Sequence, residues 1–210
     1  MDRVDVVWAN PGNPYPEVRD YMDRVKAQVL SFHEVVGQQP EFVAAIGHPV
    51  DVVPFEAERA GKATFGDTGP KLCSMQFCCF HNLWQPLKAK TEELRTTCLV
   101  RGEKESDVPR SAAQPGIAAD GVEYFFPLWN WSDQDVLGFL GDAAPASYKR
   151  GLRTSLDCMN CTAHLSADPK RIQDLAVVSP ATHAEVVPVL RYLRERLTAH
   201  LKTVNEALND

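Results

Sequence analysis

The sequence predicts an α/β fold closed by a long C-terminal helix, and two patterns carry that reading. Short apolar runs bounded by turn residues alternate with segments whose apolar residues recur every three or four positions, the signature of strands joined by helices. From about His183, the residues Val186, Val189, Leu190, Leu193, Leu197, Leu201, Val204 and Leu208 keep helical spacing, which makes one long amphipathic helix. A chain of 210 residues, 44% of them hydrophobic, suits one packed domain with a C-terminal extension. At this length roughly 70% of the unfolded surface can be buried.

Val4 to Trp8, Val-Asp-Val-Val-Trp, reads as a buried strand, and Asn10-Pro11-Gly12-Asn13-Pro14 turns the chain out of it. A helix follows. Pro16 is tolerated in a first helical turn, and Val18, Tyr21, Met22, Val25, Val29 and Leu30 hold helical spacing through to about Val36. Phe42 to Ile46 reads as a second strand and Gly61 to Gly69 as a polar surface loop. Cys73 to Leu87 then brings in apolar and aromatic residues, Leu87 to Thr97 has helix-forming composition, and Cys98 to Val100 has a short strand pattern. Gly102 to Gly121 is charged and irregular, the kind of loop on which an active site is built. Val122 to Leu128 reads as a further strand. Ser132 then caps a short helix with Asp133 and Asp135 in its first turn and Val136, Phe139 and Leu140 facing the core.

Composition removes several classes of function. No apolar run approaches the roughly 20 residues of a membrane span, and the start Met1-Asp-Arg-Val-Asp lacks the basic and apolar regions of a secretory signal. The expectation is a soluble cytoplasmic protein, alone or within a larger assembly such as a virion. A net charge of -6 with 22 dispersed basic residues gives little non-specific attraction to nucleic acid or anionic lipid, although nucleic acid stays open as a substrate.

The six cysteines are the chemistry-bearing residues. A reducing cytosol disfavours structural disulfides, so metal ligands or free thiols are the first readings. Cys158-Met-Asn-Cys161 presents two thiols from one turn, which suits a metal but equally a redox dithiol. Cys78 and Cys79 are adjacent, and a disulfide between neighbours strains the peptide, so shared ligation of a polynuclear cluster fits them better. Zinc and four inert buried thiols remain open for this set. Cys73 and Cys98 have no close partner in sequence and read as core residues.

Taken together, Cys78-Cys79-Phe-His-Asn-Leu-Trp-Gln-Pro86-Leu87 followed at a distance by Cys158-x-x-Cys161 resembles the cluster-binding adenylyl-sulfate reductases of the phosphoadenylyl-sulfate reductase family. Three further segments agree. Val6-Val-Trp-Ala-Asn-Pro-Gly12 with Tyr15-Pro-Glu17 is similar to the family's second strand and following loop. Gly102-Glu-Lys-Glu-Ser106-Asp-Val-Pro-Arg110 resembles its anion-binding segment, and Phe126-Pro-Leu-Trp-Asn-Trp-Ser-Asp-Gln-Asp-Val136 a helix start. The resemblance runs from about Val4 to His164.

The resemblance implies a partial Rossmann-like parallel sheet of the adenine nucleotide alpha-hydrolase-like kind over residues 1–166, with a helical extension over 167–210. It implies a 4Fe-4S cluster on Cys78, Cys79, Cys158 and Cys161, with zinc the alternative. It also implies phosphate or sulfate contacts at Lys104 and Arg110, for which solvated loop charges are the competing reading. Trp129 and Trp131 could cover a base, with core packing the plainer explanation.

Two family features have no counterpart. The phosphate loop Ser-Gly-Gly-Lys-Asp-Ser occurs nowhere in this chain, and no cysteine follows Cys161 to act as the sulfur nucleophile. Leu83 stands where the reductases carry a basic residue and Pro11 where they carry Thr; His81, nearby, could compensate or ligate, with a surface or core residue the plainer reading. The expectation is a chain that starts at the family's second strand, has lost autonomous adenine-nucleotide chemistry, and works as a non-autonomous subunit with a structural or redox-sensing cluster. It would associate through its sheet edge or its C-terminal helix. Two alternatives stand beside it: half of a sulfur-transfer enzyme completed by a partner's phosphate loop, and a metal-stabilised structural component of a larger assembly.

Overall fold

The computed structural model describes residues 4–107, 113–118, 121–152, 154 and 156–208. The chain is mixed α/β and divides into two compact units, one made of residues 1–87 and 152–210 and the other of residues 88–151.

In the first unit, β1 (Val6–Asn10) runs into α1 (Pro16–Lys26), which returns the chain to β2 (Phe32–Val36) in parallel, Val6 opposite Phe32 and Asn10 opposite Val36. The helix expected to reach Val36 therefore stops at Lys26. Leu30 is wholly exposed, so the helical spacing of Val29 and Leu30 marks no buried face. The run Phe-His-Glu-Val-Val gains more by pairing with β1 than by extending the helix.

The segment read as a second strand is instead α2 (Gln39–Ala45). Pro40 sits in its first turn, where the missing N–H costs nothing, and burial is one-sided: Val43 is buried, Ala44 and Ala45 exposed. A short apolar run does not distinguish the two periods.

β3 (His48–Val50) pairs in parallel with β4 (Leu72–Ser74), and α3 (Arg59–Phe65) lies between them in sequence. Residues 61–65 are thus helix, not loop. Gly61 is there for contact rather than for freedom, since a Cβ would fall 1.8 Å from the Phe55 carbonyl oxygen. α4 (Met75–Cys79) follows β4 directly, capped by the Ser74 hydroxyl, which accepts from the Phe77 N–H at 3.2 Å. A π-helical turn, Phe80–Trp84, then leads into α5 (Gln85–Glu93), which begins and ends earlier than composition suggested.

Two apolar clusters organise this unit. Val50, Ala57 and Leu72 pack with Val189, Tyr192 and Leu193 of α9 (Pro180–Leu208). Tyr15, Leu152 and Leu156 pack with Leu175 of α8 (Lys170–Val178) and Val186. The long helix is therefore core material over its first half, and each such side chain contributes roughly 1.5–3 kcal/mol by burial.

In the second unit β5 (Cys98–Val100) pairs in parallel with β7 (Glu123–Phe125), and β6 (Gly116–Ile117) joins β7 antiparallel. α6 (Asp133–Leu140) has the expected Ser132 cap, a full capping box with Asp135. Its apolar residues do not make a core face. Phe139 is 79% exposed and meets Trp131 edge-on at 5.7 Å, because this small unit offers the helix no opposing layer among the described residues. A four-residue helix, α7 (Ala146–Lys149), completes the unit. No described helix is long and apolar enough to cross a membrane.

Candidate metal centre

Cys78, Cys79, Cys158 and Cys161 all belong to the first unit, and local structure explains how each is presented. The parallel pair β3–β4 aims the chain into α4, whose last two residues are Cys78 and Cys79. The π-helical turn begins immediately after them, a local widening often found at functional sites. Asn82 in that turn is buried and folds back, donating from Nδ2 to the Cys78 carbonyl oxygen at 3.0 Å and to Cys78 Sγ at 3.7 Å. Gly37 at the end of β2 lets the turn approach, for a Cβ there would fall 2.6 Å from the Asn82 carbonyl oxygen.

The second pair is held by its flanks. The Met159 N–H donates to the Asn13 carbonyl at 2.7 Å, and the Tyr15 N–H to the Leu156 carbonyl at 3.1 Å, so the loop after β1 cradles the Cys158–Cys161 turn. Within that turn the Cys161 N–H reaches the Cys158 carbonyl at 3.3 Å. Downstream, Thr162 Oγ1 donates to the Pro49 carbonyl at 2.7 Å, and the His164 and Leu165 N–H groups donate to the Asp51 carboxylate at 2.6 and 2.9 Å. The turn is thereby tied to β3 and its exit, next to the strand that leads to Cys78.

The four thiols feel one another. Burial pushes all four up from the ordinary thiol range, Cys79 to about 12, and the neighbouring sulfurs push Cys78, Cys79 and Cys158 further. At Cys79 and Cys161 the Arg171 guanidinium acts in the opposite sense. Arg171 is 1% exposed, donates from Nη2 to the Cys158 carbonyl, and lies 5.7 Å over the Tyr15 ring. Among the described residues no group of three or more His, Cys, Asp or Glu is arranged to hold a single metal ion. The thiols share a neighbourhood without sharing a coordination sphere.

Cys73 is a member of that neighbourhood that sequence spacing did not single out. It is buried, as expected, and pushed up to about 12 by burial and then by Cys161, but its Sγ–H donates to the Gly47 carbonyl at 3.3 Å. Cys98 lies in the other unit and is exposed, contrary to the core position expected, because no layer among the described residues covers that side chain of β5. Asn82, Tyr15 and Arg171 were also missed. Only the Asn82 offset of four from Cys78, one helical turn, was visible in sequence.

Of the two residues expected at an anion, the structure describes Lys104. Lys104 is in the second unit, its ammonium between two carboxylates, Asp107 and Asp133, the latter at 3.2 Å. Burial lowers its pKa, but the two carboxylates outweigh that and raise it, so the charge is already compensated. An incoming phosphate would have to displace them. Arg110 lies outside the described residues. Trp129 and Trp131 are half-buried and meet Phe126 at 5.4 Å and Phe139 at 5.7 Å, which is ring packing. His81 is exposed, its ring 4.6 Å from Phe77 and 5.4 Å from Phe80.

Ser31, His33 and Asp5 also come together but do not form a nucleophilic relay. Ser31 Oγ and Asp5 Oδ1 both meet the same ring atom, His33 Nε2, at 3.2 and 3.0 Å, whereas a relay uses opposite ring nitrogens. No family model and no curated protein matches the chain.

Proposed function

We propose that this chain is a divergent, partial member of the phosphoadenylyl-sulfate reductase-like proteins in which Cys78, Cys79, Cys158 and Cys161 hold a 4Fe-4S cluster. The observation that carries the reading is the meeting of two sequence-distant cysteine pairs, Cys78 and Cys161 buried and Cys79 and Cys158 half-buried, in one neighbourhood beside the buried cation Arg171. Four thiols gathered without a metal must stay protonated, since their thiolates would repel; an iron–sulfide core removes that obstacle by drawing them as thiolates. Such a core supplies one-electron chemistry or structural cross-linking when bound. Closing the site requires the four side chains to turn onto it.

The parallel strand pairs β1–β2 and β3–β4 suit a Rossmann-like sheet of the adenine nucleotide alpha-hydrolase-like kind. With Lys104 committed to two carboxylates, the reading is a subunit whose cluster is structural or redox-sensing, not a self-sufficient nucleotide enzyme. It would work with a second chain, bound at the sheet edge of β1 or along the exposed Leu201, Val204 and Leu208 of α9.

Anaerobic purification, metal analysis and visible absorbance test the cluster. Serine at position 78, 79, 158 or 161 should each lower iron content, while Cys73→Ser and Cys98→Ser should not. Equal loss at all six positions, or zinc in place of iron, sinks the assignment.

A further inference from the structure

We propose that Arg171 and Tyr15 form the polar inner wall of the metal centre: the guanidinium supplies the fixed positive charge facing the thiolates, and the Tyr15 hydroxyl supplies a hydrogen bond to one of the sulfurs. This deepens the cluster reading and rests on it.

Tyr15 is fully buried, and its hydroxyl has no hydrogen-bond partner. Such a group is costly to bury for packing alone, since phenylalanine would fill the same space without an unsatisfied O–H. Its backbone is fixed at the entry to α1 and bonded to Leu156, two residues before Cys158. Arg171 is likewise buried. It lies above the Tyr15 ring, bonds the Cys158 carbonyl, and reaches Thr154 Oγ1 at 3.4 Å. The two side chains therefore flank the backbone that carries the second cysteine pair. Both are within electrostatic reach of Cys161, and the carboxylates of Glu17, Asp51, Asp157 and Asp174 act against the guanidinium on the groups of this site.

Four thiolates on an iron–sulfide core leave a net negative charge, and one added electron deepens it. No bond or proton need move. A fixed cation and a donor hydrogen bond stabilise the more negative state more, so each raises the reduction potential, and the cation also slows loss of the centre.

The test uses the full chain, purified anaerobically, as wild type, Y15F, R171K and R171Q. Three quantities are read: iron per chain and its rate of loss to a chelator, the midpoint potential in an EPR-monitored dithionite titration, and the thermal midpoint of the metal-free protein. Y15F should keep wild-type iron, shift the potential to a more negative value, and leave the metal-free protein as stable as wild type or more so. That opposite pair of effects is one that a packing role does not produce. R171Q should lose iron several-fold faster, and R171K should fall between. Y15F and R171K preserve shape closely enough to carry the test if R171Q does not fold. Wild-type potential and wild-type iron retention in both Y15F and R171K would overturn this proposal while leaving the cluster intact. A wild-type protein without iron would overturn the cluster reading and this proposal together.

Discussion

Thr162 and Pro49, 113 positions apart, are joined by a buried hydrogen bond of 2.7 Å from the Thr162 hydroxyl to the Pro49 carbonyl oxygen. Pro49 sits opposite Cys73 in the β3–β4 pair, and β4 feeds directly into the helix that bears Cys78 and Cys79. One bond next to Cys161 thus couples the two halves of the candidate site. Thr162→Val keeps the shape and removes the donor, leaving the carbonyl unsatisfied at a cost of about 1–3 kcal/mol. Iron content should fall with it. Chemical denaturation together with iron analysis reads both effects; unchanged values for both would show that the coupling is not needed.

Gly37→Ala is expected to act on the same site from the other side. The new methyl would sit 2.6 Å from the Asn82 carbonyl and 3.2 Å from Pro11 Cα, both backbone atoms that cannot swing away. Overpacking of this kind costs about 1–3 kcal/mol. Because Asn82 also bonds Cys78, the substitution should lower iron content beyond what stability alone explains; a Gly37→Ala protein with wild-type melting and iron would contradict the close approach.

Acid should weaken the first unit through Asp67. Burial raises its pKa, but the Gly69 N–H at 2.6 Å, the nearby Tyr192 hydroxyl and the Lys62 ammonium at 3.1 Å outweigh burial and hold it at about 2. A carboxylate depressed in the folded state stabilises the fold above its ordinary pKa near 4, and that contribution is lost as pH falls toward 2. Urea midpoints measured between pH 5 and pH 2 should drop for the wild type. Asp67→Asn should start lower and fall less steeply across that window. Parallel curves for the two proteins would remove Asp67 from the account.

The isolated chain should not reduce phosphoadenylyl sulfate. It contains no phosphate loop and no cysteine beyond Cys161, and Lys104 is held by Asp107 and Asp133. Product formation from this chain alone, with a thiol reductant supplied, would refute the subunit reading. In solution a second chain or a second copy should be bound, measurable by light scattering. A monodisperse monomer, stable at high concentration, would count against that partner.

Local chemistry decided part of this protein. The strand at Val6, the proline-led start of α1, the Ser132 cap and the long C-terminal helix are all legible, because each depends on neighbours within a few residues. The paired spacing of Cys78–Cys79 and Cys158–Cys161 is legible for the same reason. Short apolar runs were not: Phe42 to Ile46 is helix and Phe32 to Val36 is strand, since at that length the choice is made by what lies across from the segment. Nor were glycines reliable marks of loops, for Gly61 and Gly37 serve close backbone approach. Above all, no spacing announces that Tyr15, Asn82 and Arg171 are buried beside the cysteines. They come from three segments far apart in the chain. Only folding sets a guanidinium over a phenol ring and beside a carbonyl, because long-range packing and the expulsion of water, not sequence proximity, determine which charges must share one interior.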